Sequence, residues 1–241
     1  MLTGLNSDFA NEHPDSEVIG TYLGRQAREP QRAIWTDPLS GTDLSPIQPA
    51  WTPPNCKFEL DDASLDWTFA DNTFDYIHIR CLIGSIEDWV RLYRECFRCL
   101  KPGGWLEHTD FSVLTGCDDG SLPPDAVWYE WTNLFLEAGR KMGRTFEVVD
   151  NDNFVGWLKE AGFSGPIRLN KTKLPTGGWP ADPKWKEVGV YNKVTTEQGL
   201  EGYALYICTN ILGWKYEDVQ VLLHRVRQAM KNKSYHSYYR W

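Results

Sequence analysis

Residues 74–111 read FDYIHIRCLIGSIEDWVRLYRECFRCLKPGGWLEHTDF, and this run decides the fold. Phe74 to Arg80 reads as a buried strand. Ile86, Trp89, Val90, Tyr93, Phe97 and Leu100 then recur at helical spacing and leave Glu87, Arg91, Arg94, Glu95 and Arg98 mostly on the other face. Ser85 is the expected N-cap, with Asp88 three residues later completing a capping box and favouring the positive helix end. Pro102 disfavours helical geometry at Lys101, and Gly103 and Gly104 supply the positive φ needed to reverse the chain. Trp105 to Phe111 reads as the second strand. A strand returning through one helix predicts a right-handed parallel crossover, and parallel sheets bind small ligands at the carboxyl ends of their strands.

Three runs, NCKFELDDASLDWTF from Asn55, then FDYIHIR, then LKPGGWLEHTDF, resemble the core of fungal class I S-adenosyl-L-methionine-dependent methyltransferases of the LaeA-like family. The likeness is close from Asn55 to Phe111 and weaker towards the C-terminus; spacing alone implies only a doubly wound α/β unit. The resemblance implies an α/β, Rossmann-like, three-layer fold with a mostly parallel sheet, S-adenosyl-L-methionine as cofactor, and a small molecule or a protein as methyl acceptor. Such domains open with an apolar strand and a G-x-G-x-G loop. Met1 to Asp8 carry no strand signal, and Phe9 to Pro14 resembles the tail of the helix that follows that loop. The first strand and its glycine loop are therefore expected to be missing, and Tyr235 to Trp241 resembles only the start of the last strand.

In chain order, Ser16 to Gly20 reads as a short strand. Thr21 to Gly41 has three arginines and two prolines with no helical or strand period, and the dipeptides Gly20-Thr21 and Gly41-Thr42 bracket it. Its removal restores VIGTDLSPIQPAW, so 21–41 is read as an irregular insertion within one methyltransferase-like domain spanning 1–241. The alternative is an ordinary surface loop. Asp43 is then the ribose-binding candidate, since a carboxylate can accept from both ribose hydroxyls; the alternative is a turn or cap residue ahead of Pro46. Cys56 to Leu60 is the third strand. In the resembling family an acid at the turn after it meets the adenine amino group and a backbone amide meets the ring, which selects Asp62, then Asp61, with Ala63 beside them. Two solvated turn aspartates are the competing reading. Arg80, closing the next strand, is placed with the cofactor-binding residues at the methyl-transfer end. His78 is read as a packed core group rather than a base. Glu107 and His108 are the candidates for an assisting base, and adjacent strand residues point to opposite faces, so at most one of them can serve.

After Phe111, the polar run GCDDGSLPP forbids regular structure, and Val127, Trp128, Trp131, Leu134, Phe135 and Ala138 restore helical periodicity. A helix is expected over 125–142 and another over 153–161, so 112–165 is read as a helical region covering the substrate. A strand is expected over Ile167 to Leu174. Two amphipathic helices follow, one through Leu200 to Leu212 and one through Val219 to Met230, the latter with a solvated basic end.

The net charge of −8 over 241 residues argues against general affinity for nucleic acid or an anionic membrane. No apolar run reaches spanning length and no signal-peptide pattern appears, so an intracellular location, cytoplasmic or nuclear, is expected. Six cysteines do not form a disulfide framework, and Cys96 and Cys99, a lone C-x-x-C inside a helix, read as packing rather than metal or redox chemistry. No Ser-His-Asp order, P-loop or metal-ligand spacing appears. A methyltransferase acting on an unknown acceptor, in secondary metabolism, is therefore the leading reading. A catalytically inert regulator with a protein partner and a fragment of an active enzyme are the alternatives, the inert reading being favoured by the absent glycine loop. Losing the central strand would expose two strand edges and make the domain marginally stable.

Overall fold

A computed structural model describes residues 11–23 and 54–241 and shows a mixed α/β protein. The chain divides into two compact units, residues 1–68 and 69–241. In the first, β1 (Val18–Leu23) and β2 (Cys56–Asp61) pair in parallel from Val18 opposite Cys56 to Leu23 opposite Asp61. The Asn55 side-chain amide donates to the carbonyls of His13 (3.0 Å) and Ser16 (2.9 Å), fastening the entry to β2 beside the segment that leads into β1. The strand expected to end at Gly20 runs on through Thr21, Tyr22 and Leu23, which lie opposite Glu59, Leu60 and Asp61. The rest of the 21–41 segment and Asp43 lie outside the described residues.

The second unit contains the parallel crossover. β3 (Phe74–Arg80) leads to α1 (Trp89–Cys99) and then to β4 (Leu100–Thr109), with Tyr76 opposite Trp105 and Arg80 opposite Thr109. Ile79, Leu92, Tyr93, Cys96 and Cys99 are buried, which sets α1 and the sheet against each other. Cys96 and Cys99 are free thiols, in keeping with a packing role.

Two boundaries differ from expectation. The N-cap is Asp88, whose side chain accepts from the Arg91 amide at 2.9 Å, whereas Ser85 sits in a turn with its amide bonded to the Leu82 carbonyl at 2.9 Å. The cause is tertiary: Gly84 has φ +69° and lies so close to Phe146 that a Cβ there would fall 2.2 Å from the ring. The turn is held at that point, and the next residue able to cap starts the helix. At the other end α1 passes directly into β4, and Lys101 to Gly104 bulge outward between the pairs Phe74–Leu100 and Tyr76–Trp105, with Gly103 at φ +86°. The Pro-Gly-Gly run is therefore an excursion within the strand rather than a turn ahead of it.

The remainder is α2 (Val127–Met142), α3 (Asn153–Glu160), α4 (Pro183–Tyr206) and α5 (Tyr216–Lys231). Trp128, Trp131, Leu134 and Phe135 of α2, Leu200 and Ala204 of α4, and Val219, Leu222 and Val226 of α5 form the main core. α4 begins well before the periodic stretch at Leu200, with Asp182 as its N-cap, accepting from the Trp185 amide at 3.0 Å, and Pro183 in its first turn.

The strand expected over Ile167 to Leu174 is reduced to β5 (Lys173–Pro175), because its antiparallel partner β6 (Tyr238–Arg240) is only three residues long. The single mostly parallel sheet implied by the resemblance thus appears, among the described residues, as two parallel pairs and one antiparallel pair. β6 also ties down the loop after β4: the Ser112 amide donates to the Arg240 carbonyl at 2.8 Å, and Gly116 and Tyr238 exchange two bonds of 2.8 and 2.9 Å. Asp118 accepts from the Tyr238 hydroxyl at 2.8 Å and pairs with Lys173, while Asp119 meets His236 Nδ1 at 2.5 Å and the Ser121 amide at 3.0 Å. No described helix is long and apolar enough to cross a membrane.

Asp88→Ala is expected to destabilise the protein by about 1 kcal/mol by removing the cap, and Ser85→Ala by less than about 0.5 kcal/mol; urea denaturation of the two variants compares them directly. The His236 hydrogen bond, followed by those of Ser121, holds the Asp119 carboxyl well below its ordinary range. A depressed folded-state pKa means that this contribution is complete above the unfolded value of about 4 and is lost as pH falls towards the folded one. His236→Gln should move the Asp119 titration midpoint upward, as followed by carbon-13 NMR of its carboxyl.

Candidate active site

The carboxyl ends of the two parallel pairs carry the polar groups that sequence reasoning selected. In the first unit, Asp61 closes β2 opposite Leu23, and Asp62 and Ala63, both half-buried, begin the turn beyond it. The Asp62 carboxyl accepts from the Ser64 amide at 2.9 Å and the Ser64 hydroxyl at 2.6 Å, and the Leu65 amide bonds back to the Asp62 carbonyl at 2.9 Å. The Trp67 indole N–H donates to the Ala63 carbonyl at 3.1 Å. This is an Asx-turn, which an aspartate forms readily after a strand. It fixes an acidic turn at a strand's carboxyl end, where acceptor groups suit the hydroxyl and amino donors of a nucleoside.

In the second unit, Arg80 is the last residue of β3. Its guanidinium carbon lies 5.4 Å from the centroid of the Trp241 ring, and Trp241 in turn stacks on Phe111 at 6.0 Å with an interplanar angle of 8°. Cys81 follows at φ +55°, a left-handed conformation that costs a non-glycine residue about 1–2 kcal/mol. Its amide is held by the Thr109 carbonyl at 3.1 Å. Burial and then Asp110 push the Cys81 thiol up, with Arg80 pulling the other way. Tyr203 of α4 stands within electrostatic reach of Cys81, and burial followed by that thiol raises its phenol.

Glu107 and His108 do face opposite ways. Glu107 is exposed and accepts from the Tyr76 hydroxyl; burial, then this carboxyl, push the Tyr76 phenol far up. His78, expected as a packed core group, is instead exposed on β3; it pairs across the sheet with Glu107, and partial burial lowers its pKa while Glu107 opposes the shift. The His108 side chain is only 6% exposed. Its Nδ1 lies 2.7 Å from the Tyr93 hydroxyl, its Nε2 lies 3.4 Å from Asp110, and its ring stacks on Trp89 at 5.1 Å. Both nitrogens are engaged, so the geometry gives His108 the work of joining α1 to β4.

Asp110 was not selected from sequence, although an acid directly after an apolar strand was the available signal. Its side chain is fully buried, accepting from the Leu82 amide at 3.0 Å and the Phe111 amide at 2.9 Å. It thereby couples the turn after β3 to the exit of β4. Tyr203 and Trp241 were also missed, since no local pattern announces which distant aromatic reaches a strand end. Among the described residues no group of three or more His, Cys, Asp or Glu is placed to hold a metal ion. Asp110→Ala should cost about 1–3 kcal/mol for each buried amide left without an acceptor, and Asp110→Asn distinctly less. Denaturation curves together with faster hydrogen exchange at the Leu82 amide in the alanine variant provide the check.

Comparison with known proteins places these elements in context. A family model described as a methyltransferase domain matches residues 19–165, a span that includes both parallel pairs. The chain is 41% identical to the methyltransferase pytC of Aspergillus terreus over 195 residues, which are 80% of this chain and 59% of that protein. It is 32% identical to the secondary metabolism regulator LAE1 of Cochliobolus heterostrophus over 201 residues, 82% of this chain and 64% of that one. The chain therefore spans roughly three-fifths of the length of these curated relatives. Among solved structures, phosphoethanolamine N-methyltransferase 2 of Haemonchus contortus in complex with S-adenosyl-L-methionine aligns with a TM-score of 0.40 at 18% identity, covering 77% of this chain and 36% of that one.

Proposed function

We propose that this chain, which belongs to the methyltransferase domain family, binds S-adenosyl-L-methionine and transfers a methyl group to an acceptor in fungal secondary metabolism. The observation that carries the reading is the acidic turn Asp61-Asp62-Ala63, fixed by Ser64 at the carboxyl end of a parallel strand inside the family match. Asp61 and Asp62 accept hydrogen bonds from the adenosine part of the cofactor, Asp43 serves the ribose, and the backbone beside Ala63 meets the adenine ring. Arg80 stands at the methyl-transfer end. The cofactor, when bound, supplies an electrophilic methyl group on its sulfonium. In-line displacement needs chiefly alignment, so the task of these residues is to hold donor and acceptor in attack geometry and exclude water. Glu107, exposed beside Tyr76, is the group able to take a proton from an acceptor; His108 holds its supports in place. The 112–165 region covers the acceptor, and the free described cysteines suit an intracellular location, cytoplasmic or nuclear.

One observation favours the inert reading. With 21–41 removed, Thr42, Asp43 and Leu44 would follow Gly20 directly, yet in this chain Thr21, Tyr22 and Leu23 take those strand positions, and Tyr22 rather than Asp43 stands opposite Leu60. The inserted segment would then displace the ribose acid and leave a binding module or an interrupted enzyme.

Titration calorimetry with S-adenosyl-L-methionine separates the readings. Saturable binding is expected, weakened about tenfold by Asp62→Ala through loss of roughly one hydrogen bond. Absence of heat at millimolar cofactor would exclude catalysis by this chain, and binding recovered on deleting 21–41 would identify that segment as the cause.

A further inference from the structure

We propose that the carboxyl end of β3 carries an anion subsite for the methyl acceptor, in which Arg80, braced by Trp241, receives a carboxylate borne on an aromatic or similarly flat apolar group. Calling the bound anion the acceptor rests on the methyltransferase reading; the subsite itself does not.

Arg94 pairs with Glu160 at 3.3 Å, Arg98 with Glu95 and Asp71 at 2.7 Å each, and Arg225 with Glu130 at 2.7 Å. Arg80 is half-buried and forms no ion pair among the described residues. The neighbouring buried acid, Asp110, is directed to the amides of Leu82 and Phe111 and to His108. A guanidinium partly withdrawn from water, with no carboxylate partner among the described residues, keeps its charge available to an anion.

The geometry is that of a built receptor. The Arg80 guanidinium lies over the Trp241 ring at 5.4 Å and also meets the Cys81 side chain, and its remaining N–H groups are available to a carboxylate. The brace does not swing freely, because Trp241 exchanges two backbone bonds with Thr172 (2.7 and 2.8 Å) and its ring stacks nearly parallel to that of Phe111. Phe111, stacked on Trp241, extends the aromatic surface of the brace, which suits an anion attached to a flat apolar body.

Arg80 and Phe111 lie within the family match, which ends at residue 165, whereas the brace Trp241 lies beyond it. Residues beyond a shared domain are a natural source of acceptor selectivity, so the brace rather than the charge carries the assignment to the acceptor.

The test uses the full chain and follows the Arg80 side-chain Nε–Hε resonance by NMR, with benzoate as probe and benzamide as its uncharged counterpart. Benzoate should shift the resonance saturably and benzamide should not. Arg80→Lys should weaken benzoate about tenfold, because lysine keeps the charge and loses the fork; Arg80→Gln should abolish binding while retaining a native amide spectrum. Benzamide acting as well as benzoate, or benzoate binding that survives Arg80→Gln, would overturn the subsite. Calorimetry with S-adenosyl-L-methionine is run on the same samples. Cofactor affinity within about twofold of wild type in Arg80→Gln supports the acceptor assignment, and a drop of tenfold or more would overturn it in favour of the cofactor's own carboxylate. Benzoate binding in a chain that takes up no cofactor would uphold the anion subsite and defeat the methyltransferase reading, so the two failures are distinguishable.

Discussion

The buried carboxyl group of Asp110 is the constraint on which the 69–241 unit turns. One residue beyond the end of β4, it satisfies two backbone amides that would otherwise be stranded in the interior, those of Leu82 and Phe111. It also lies against His108, which reaches Tyr93 on α1 and stacks on Trp89. A buried polar group of this kind is costly alone and favourable only when its partners are all in place. The turn after β3, the exit from β4 and the first turns of α1 are therefore set together, and with them the unusual backbone of Cys81 and the direction in which Arg80 leaves the strand.

Much of this architecture is legible locally. β3 occupies Phe74–Arg80 as read from its apolar pattern, and α2 and α5 follow their periodic stripes to within a few residues. What escapes sequence reading is decided at a distance. Ser85 and Asp88 are equally good caps, and the choice between them is made by the Phe146 ring closing on Gly84. The 167–174 strand is cut to three residues because a strand is only as long as its partner. The apolar residues in the first half of α4, among them Trp185, Val190, Tyr191 and Val194, are exposed and form no buried stripe, although Asp182-Pro183 marks its start clearly.

The site divides along the same line. Asp61, Asp62 and Arg80 are found by the rule that parallel strands present ligand-binding groups at their carboxyl ends, because strand ends can be read from the chain. Trp241 and Tyr203 reach Arg80 and Cys81 through tertiary packing, and aromatic residues are too frequent here, with twelve tryptophans, for any one to stand out. Glu107 and His108 show the value of strand alternation: adjacent in sequence, one lies in solvent beside Tyr76 and the other is enclosed between α1 and β4.

The fastening of the loop after β4 to β6 bears on how the molecule is made. The hydrogen bonds from Tyr238 to Asp118 and from His236 to Asp119 join residues 120 and 117 positions apart. Contacts of such separation form late, because the entropy of closing a long chain segment must be met before they contribute. On the ribosome, the β3–α1–β4 crossover can assemble from neighbours as soon as it emerges. The loop at 112–121 has to wait until residues 236–240 have been synthesised. Arg80 therefore gains its Trp241 brace only after the crossover has formed, so the aromatic stack reports on a later step of folding.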